Sequence, residues 1–220
     1  MASRILFFLL WVFVFNTNTP AAAPPSETEN LPVVAVAEVT FSHAAAKLVF
    51  ATDTVRDVIT RQLHRTGRLK AIDWSRLNAV MFRRNLEWSD VVEDESDRKA
   101  VQDVLLNDYF LTGGISSYGE RWEFNASAFS KSKTQIARVQ VELFLKDALT
   151  NEIKVSASGV AEKQRTVSQS LGFGASGGSD PTLANDALNE AVESAIANLL
   201  VGLTAQTTPG TRKENPDEKN

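Results

Sequence analysis

The side chains best suited to chemistry are few in this sequence. It holds two histidines, His43 and His64, and no cysteine. Neither histidine has a carboxylate or a cysteine at the spacing of a metal-ligand pair, so the sequence predicts no metal site. The serines lack the partner residues with which Gly-x-Ser-x-Gly and Ser-x-x-Lys hydrolases activate their nucleophile. We therefore expect a protein that is not an enzyme.

A glycine-rich stretch matches a nucleotide-binding pattern in its letters alone. Residues Gly172 to Gly177 spell G-x-G-x-x-G. A dinucleotide site needs a strand before that turn, a helix after it, and then a second parallel strand with an acidic residue about 20 residues on. Only one further helix is predicted here. We interpret the glycines as a loop in which the backbone can turn tightly, and we expect no cofactor.

A group of acidic residues is the other candidate binding motif. It comprises Glu93, Asp94, Glu95 and Asp97. The group lacks the ligand spacing and the central glycine of an EF-hand calcium loop. We expect a solvated loop that leads into a helix.

The charge balance argues against a nucleic-acid partner. The formal net charge is −4, and the lysines and arginines are spread singly among acidic residues. No basic stripe is available to neutralise phosphates. We expect no nucleic-acid binding.

The N-terminus has the layout of a signal peptide. Arg4 precedes the apolar run Ile5 to Phe15, and a polar stretch then ends in alanines. An apolar run of this length is too short to span a bilayer as a helix, so we predict that residues 1–23 are removed on export. Residues 24–30 are expected to be a linker. The chain has no cysteine to carry a lipid or to form a disulfide.

Period-two alternation of apolar residues predicts the core of a sheet between Asp108 and Gln164. One face of the most regular run carries only apolar side chains, namely Val139, Val141, Leu143 and Leu145. Such alternation is typical of half-buried antiparallel strands. Four strands are predicted in this region: Asp108–Ile115, Trp122–Ala128, Val139–Leu145 and Glu152–Ser158. An earlier strand, Leu31–Val39, is apolar on both faces and should lie in the middle of the sheet.

Helical periodicity predicts the covering layers. The first helix is capped by Thr52 or Asp53 and stopped by Gly67, the second is capped by Asp73, and the third starts near Ser96. Their inward residues are predicted to include Leu77, Val80, Met81, Val101, Val104 and Leu105. A last helix begins at Pro181, and a disordered tail is expected over residues 204–220. The fold class is α/β, a sandwich of helices on a mainly antiparallel sheet.

Several of these segments together resemble a known family. They are the early Val-Ala-Val-Ala strand, the segment Asp108 to Ile115, the turn Asp147 to Glu152, and the alanine-rich last helix. In this combination the chain resembles the CsgG family of curli secretion proteins, in which the turn reads Asp-x-x-Thr-Gly-Glu. The likeness covers roughly residues 31–203, which we expect to form one CsgG-like domain.

The resemblance implies an exported, periplasmic or outer-membrane-associated protein that assembles into a homo-oligomeric ring. Its expected partners are envelope or secreted proteins, with contact to the outer membrane through two inserted hairpins. It implies a component of a secretion or surface-assembly system, either a curli-like exporter or a scaffold ring. An alternative is a periplasmic accessory that binds and regulates an envelope enzyme such as a peptidoglycan synthase.

The hairpins of the family correspond to residues 119–135 and 159–181 of this chain. The first is too short for two membrane-spanning strands, and the second places Glu162, Lys163 and Arg165 within its alternation, which is costly against lipid. In the second segment, Leu171 and Phe173 are the large apolar side chains among glycines. We predict that they form an interaction loop that a neighbouring chain or a membrane orders.

Overall fold

The structure, a computed structural model, describes residues 31–126, 130–170 and 180–207. The described residues form five strands and six helices, in the following chain order: β1 (Val33–Phe41), α1 (Ala44–Val49), α2 (Thr52–Thr66), β2 (Lys70–Ile72), α3 (Trp74–Arg84), α4 (Trp88–Glu93), α5 (Glu95–Leu105), β3 (Tyr109–Ala126), β4 (Ser130–Asp147), β5 (Ile153–Ser170) and α6 (Pro181–Thr207). None of these helices is both long enough and apolar enough to cross a membrane.

All five strands belong to one sheet, with the order β2-β1-β3-β4-β5. β1 pairs in parallel with β2 and with β3, whereas β3, β4 and β5 form an antiparallel meander. The antiparallel pairs are much the longer, so the sheet is mainly antiparallel as predicted. β1 lies between two strands, in agreement with its apolar character on both faces.

The larger core lies on the sheet face that α2 and α6 cover. The predicted inward row of β4 is completely buried there, from Val139 to Leu145 on alternate residues. Each of these residues pairs with a small or β-branched residue of β5, for example Val141 with Gly159. The inward stripe of α6 is also buried as predicted and comprises Leu183, Ala187, Leu188, Ala191, Ile196 and Leu199. These facing apolar surfaces supply the main hydrophobic stabilisation.

A smaller core lies on the opposite face, under α3, α4 and α5. It contains Leu77, Val101 and Phe110, and the ring of Trp88 meets that of Phe110 edge to face at 5.4 Å. The buried Arg98 of α5 donates to the carbonyl oxygens of Val91, Val92 and Leu149, which ties α4 and the β4–β5 turn to this layer. The helices therefore flank the sheet on both sides.

The turn between β4 and β5 has the chemistry that the sequence predicts. Asp147 Oδ1 accepts hydrogen bonds from the backbone N–H groups of Leu149 and Thr150, both at 2.9 Å. Asn151 adopts the left-handed conformation with φ 59°. Asparagine tolerates that region, so it can stand where the family pattern has glycine.

The helix ends confirm some predicted caps and correct another. Asp73 Oδ1 accepts from the backbone N–H of Arg76 at 2.9 Å, and Gly67 ends α2 with φ 61°. The prediction of Thr52 or Asp53 as the cap of α2 was wrong. The capping position is Ala51, which has no side-chain acceptor, and Asp53 instead pairs with Arg56.

Four further features differ from the sequence prediction. The short helices α1 and α4 were not predicted, because six residues are too few to display a helical period. Val104 is exposed rather than inward, since α5 turns Val101 and Leu105 toward the sheet. α6 continues to Thr207, beyond the predicted start of the tail, while residues 208–220 lie outside the described residues. Residues 109–126, predicted as two strands, form one.

The glycine pair explains why β3 does not end where the apolar run ends. Gly113 and Gly114 have φ values of 137° and 154°, which other residues rarely adopt. A Cβ atom at Gly113 would collide with the Glu142 carbonyl oxygen, and one at Gly114 with that of Thr40. The pair therefore lets β3 lie close between β1 and β4, rather than breaking the strand.

Candidate interaction surfaces

The outer edge of β5 is the longest open edge of the sheet. β5 has 18 residues and lies at the end of the strand order, and its only partner among the described strands is β4. Three apolar β-branched side chains along it remain exposed, Ile153, Val160 and Val167. An edge strand presents backbone donors and acceptors to a strand that can approach it. Asn198 and Gln206 of α6 already donate to two of the β5 carbonyl oxygens, those of Ser158 and Lys154.

The outer parts of the three long strands form a feature that we call the ribbon, residues 119–126, 130–138 and 162–170. Its register is continuous, from Glu120 opposite Ala137 to Ala126 opposite Lys131, and β5 follows β4 over the same length. The alternation assigns Trp122, Phe124 and Lys133 to one face of it. The ribbon therefore joins both predicted hairpin segments in one three-stranded sheet.

Aromatic and basic side chains meet on that face of the ribbon. The Lys133 ammonium lies 3.6 Å from the centroid of the Trp122 ring and 5.7 Å from that of Phe124. Phe124 is 72% exposed. A cation over an aromatic face is an attractive arrangement, and an exposed ring beside it offers apolar area to a partner.

A chain of hydrogen bonds at the base of the ribbon joins β3, β4 and α6. The Tyr118 hydroxyl donates to Glu120, and the buried Gln135 donates to the same carboxylate at 2.7 Å. Gln135 Oε1 in turn accepts from the backbone N–H of Asp180 at 2.8 Å. Burial, together with the neighbouring Glu120 carboxylate, raises the pKa of Tyr118 to about 12. Tyr118 therefore stays protonated and can donate at any physiological pH.

Asp180 fixes the start of α6 to the ribbon. Its carboxylate accepts from the backbone N–H and the hydroxyl of Thr182, and it forms an ion pair with Arg165 of β5. Asp180, the last residue of the segment between β5 and α6, is therefore held close to the ribbon. The predicted interaction-loop residues Leu171 and Phe173 belong to that segment and lie outside the described residues.

The structure shows where the residues considered for metal binding lie. His43 and His64 are exposed and lie at the start of α1 and on α2. Asp94 is the N-cap of α5, because its Oδ1 accepts from the backbone N–H groups of Ser96 and Asp97 at 2.7 and 3.1 Å. The hydrogen bonds from Ser96, followed by that from Asp97, hold its pKa below the usual value. The described part of the chain contains no group of three histidines or acidic residues that could hold a metal ion.

Sequence reasoning did not identify the network at the base of the ribbon. Its members, Tyr118, Glu120, Gln135, Asp180 and Arg165, are far apart in the chain and share no local motif. The one available signal was Asp180 before Pro181, which is the pattern of a helix N-cap.

A search among solved structures finds weak likenesses to several bacterial proteins. One is the LpoB C-terminal domain from Salmonella enterica, with 13% identity, 59% of this chain and 81% of that chain covered, and a TM-score of 0.38. A PelC dodecamer from Paraburkholderia phytofirmans has 13% identity, coverage of 77% and 88%, and a TM-score of 0.36. Lipoprotein GNA1162 from Neisseria meningitidis has 12% identity, coverage of 80% and 99%, and a TM-score of 0.36. These scores are too low to support a statement about this chain.

Sequence comparison is more informative. A curated protein of Neisseria meningitidis serogroup B, named "Putative lipoprotein NMB1126/NMB1164", is 26% identical over 148 residues, which are 66% of this chain and 61% of that relative. The family model described as "Curli production assembly/transport component CsgG" matches residues 21–220. That match spans most of the sequence, so the chain belongs to the CsgG family.

Proposed function

We propose that this protein is a non-catalytic component of an envelope secretion or surface-assembly system, and that copies of it assemble into a ring in which β5 of each copy contacts a different surface of the next copy. Family membership supports a role in transport or assembly. The predicted signal peptide supports export to the periplasm or the outer membrane.

The open edge of β5 is the observation that carries the proposal. A strand added along an edge of 18 residues makes a ladder of backbone hydrogen bonds, and the side chains beside it select the partner. Natural sheets protect such edges with proline, bulges or lysine when they must stay single. β5 contains no proline, its one register shift lies near its start, and its lysines Lys154 and Lys163 form ion pairs with Glu152 and Glu190. The apolar side chains of Ile153, Val160 and Val167 are exposed along it. These features are expected of an edge that a neighbouring chain covers.

The ribbon gives such an assembly a second contact surface. Trp122 and Phe124 with Lys133 form the combination of aromatic rings and a long cationic side chain that is enriched at membrane–water interfaces. We propose that this face meets the outer membrane or a protein embedded in it. The predicted interaction loop with Leu171 and Phe173 follows the end of the ribbon in the chain.

Light scattering on protein isolated from the cell envelope tests the edge contact. We expect V160K/V167K to reduce the assembled mass, because lysines along an edge repel a second strand and hold their charge in water. Leu48→Lys is the matched control, since Leu48 is 89% exposed on α1 and away from β5. The edge contact is refuted if the double variant and the control assemble equally well.

A deletion strain tests the function itself. We expect loss of the protein to change the set of secreted and surface proteins measured by mass spectrometry. Wild type and Leu48→Lys should restore that set, whereas V160K/V167K should not. An altered peptidoglycan composition with unchanged secreted proteins would instead favour the alternative, an accessory that regulates a peptidoglycan synthase.

A further inference from the structure

A groove runs between α2 and α6 on the outer side of the larger core. It is open to solvent, with a volume of about 1050 Å³. Its α2 wall carries Arg61 and Arg65, and its α6 wall carries Asp186 and Glu193. These four residues are exposed, whereas Lys163 and Glu190, which also line the groove, form an ion pair with each other. The two walls therefore have opposite charge.

The charges of the two walls do not neutralise each other within one chain. In the described part of the chain, no ion pair within 4.0 Å joins Arg61 or Arg65 to an acidic residue. The Arg61 guanidinium reaches only the side-chain oxygen of Asn189, at 3.4 Å. Arg61 therefore reaches the α6 wall at an amide and not at a carboxylate. A protein bound to this face can form ion pairs with both the arginines of α2 and the carboxylates of α6.

A second copy of this chain can pair with the arginines and with the carboxylates at the same time. Arg61 contacts Asn189, which lies between Asp186 and Glu193 on α6, so the basic and acidic positions lie at about the same level along the groove. A two-fold axis parallel to the groove keeps that level and exchanges the walls. The arginines of each copy then lie opposite the carboxylates of the other. Isologous contacts require this kind of self-complementary patch.

The size and composition of the face fit such a contact. α6 has 27 residues and α2 has 15, so the two helices are about 40 and 22 Å long. With a width of about 10 Å for each helix, the face covers roughly 600 Å², which is at the lower end of stable interfaces. Its apolar part includes the exposed Ala197. Apolar contact there would add to the charge complementarity.

We propose that the α2–α6 face binds a second copy of this chain in a two-fold contact, with the basic α2 wall of each copy against the acidic α6 wall of the other. This contact is separate from the β5 edge. Together the two contacts would join edge-assembled rings in pairs. Opposite charges would set the register and raise the association rate, and the contact would weaken as salt rises.

Complementary charge reversal tests the pairing. The experiment uses the V160K/V167K background, in which edge assembly is suppressed, so that failure of the edge contact and failure of the two-fold contact give different results. One chain carries R61E/R65E, which makes both walls acidic. The other carries D186K/E193K, which makes both walls basic. R83E/R84E on α3 is the control with the same change of charge on exposed residues outside the groove.

Sedimentation at 150 mM salt measures dimer formation, and circular dichroism checks that each variant is folded. We expect each reversed chain alone to have a dimer Kd raised on the order of tenfold or more, because like charges then face each other. An equimolar mixture should form a one-to-one dimer with near wild-type affinity, and the control should dimerise as the background does. Folded reversed chains that dimerise normally alone, or that stay monomeric when mixed, would overturn the proposal.

Discussion

At the scale of single residues, a close contact between the sheet and its longest helix requires a glycine, which has no side chain. Gly159 of β5 lies against the backbone of α6 at Ala191 and Ala195, and a Cβ atom there would collide with both. The pairing of Gly159 with the buried Val141 places this contact in the centre of the larger core. Overpacking at such a point moves the backbone, because the surrounding atoms are already in contact.

We expect Gly159→Ala to lower the free energy of unfolding by about 1–3 kcal/mol. Chemical denaturation of the purified protein measures the change. Gly119→Ala is the matched control, because a Cβ atom at Gly119 would meet no atom within 4 Å. Equal stability of the two variants would show that α6 does not pack on β5 as described.

The cap of α3 should make stability depend on pH. Hydrogen bonds, first from the Ser75 hydroxyl and then from the backbone of Arg76, lower the pKa of Asp73. A carboxyl with a lowered folded-state pKa stabilises the fold above its unfolded pKa of about 4, and this stability is lost as pH falls through the lower folded value. We expect Asp73→Ala to cost about 1 kcal/mol at pH 7 and progressively less below pH about 3.5.

Urea denaturation across that pH range measures the effect of the cap. Asp73→Asn is the control, because asparagine caps a helix without titrating. Its stability should therefore follow that of wild type at neutral pH and lack the loss assigned to Asp73 in acid. A penalty for Asp73→Ala that is the same at pH 7 and in acid would contradict the assignment.

At the scale of elements, the local sequence pattern predicts which residues are buried. It does not predict the length of a strand where pairing with neighbouring strands sets that length. The stripe of α6 and the alternation of β4 could be read from the sequence because each has one buried face. Of the ribbon, only the strand Trp122–Ala128 was predicted from the sequence, because the rest keeps much polar surface on both faces and so shows weak alternation. Its extent comes from hydrogen bonding between strands, to which polar side chains such as Thr134 and Thr166 contribute, bonded at 2.8 Å.

The prediction at the scale of elements concerns the interaction loop with Leu171 and Phe173. It rests on the sequence alone, because both residues lie outside the described residues. Four glycines surround them and raise the entropy cost of ordering, and we propose that both side chains bind a partner rather than the core. L171S/F173S should leave the thermal midpoint within about 2 °C of wild type and reduce the assembled mass or the secreted material. Leu183→Ser, which alters a buried residue of α6, should lower the midpoint strongly.

If L171S/F173S destabilises the isolated protein as much as Leu183→Ser does, the two residues belong to the core. The interaction loop would then have to be abandoned. Scanning calorimetry of the two variants side by side decides between these outcomes.

At the scale of the whole molecule, family, fold class and inward residues followed from the sequence, while the open surfaces did not. The sequence places β1 in the middle of the sheet, but it does not show that β5 ends the sheet with a long free edge. The reason is physical, since an edge is defined by the absence of a neighbouring strand and leaves no local pattern. The charged α2–α6 groove was missed for a similar reason, because its two walls are more than 100 residues apart in the chain.

Export should leave a defined mature chain. We predict that residues 1–23 are removed and that no lipid is attached, because the signal region contains no cysteine. Intact mass spectrometry of the protein from the envelope fraction measures both. A mature chain that retains residues 1–15 in the membrane would show that the apolar run is an anchor instead.

The most direct test of assembly through β5 is photo-crosslinking in intact cells, with a crosslinking amino acid in place of Val160. If β5 pairs with another copy, irradiation should give a ladder of products at multiples of the chain's mass, and the same residue in place of Leu48 should give none. A monomer band alone from position 160, in cells that contain the folded protein, would contradict the account.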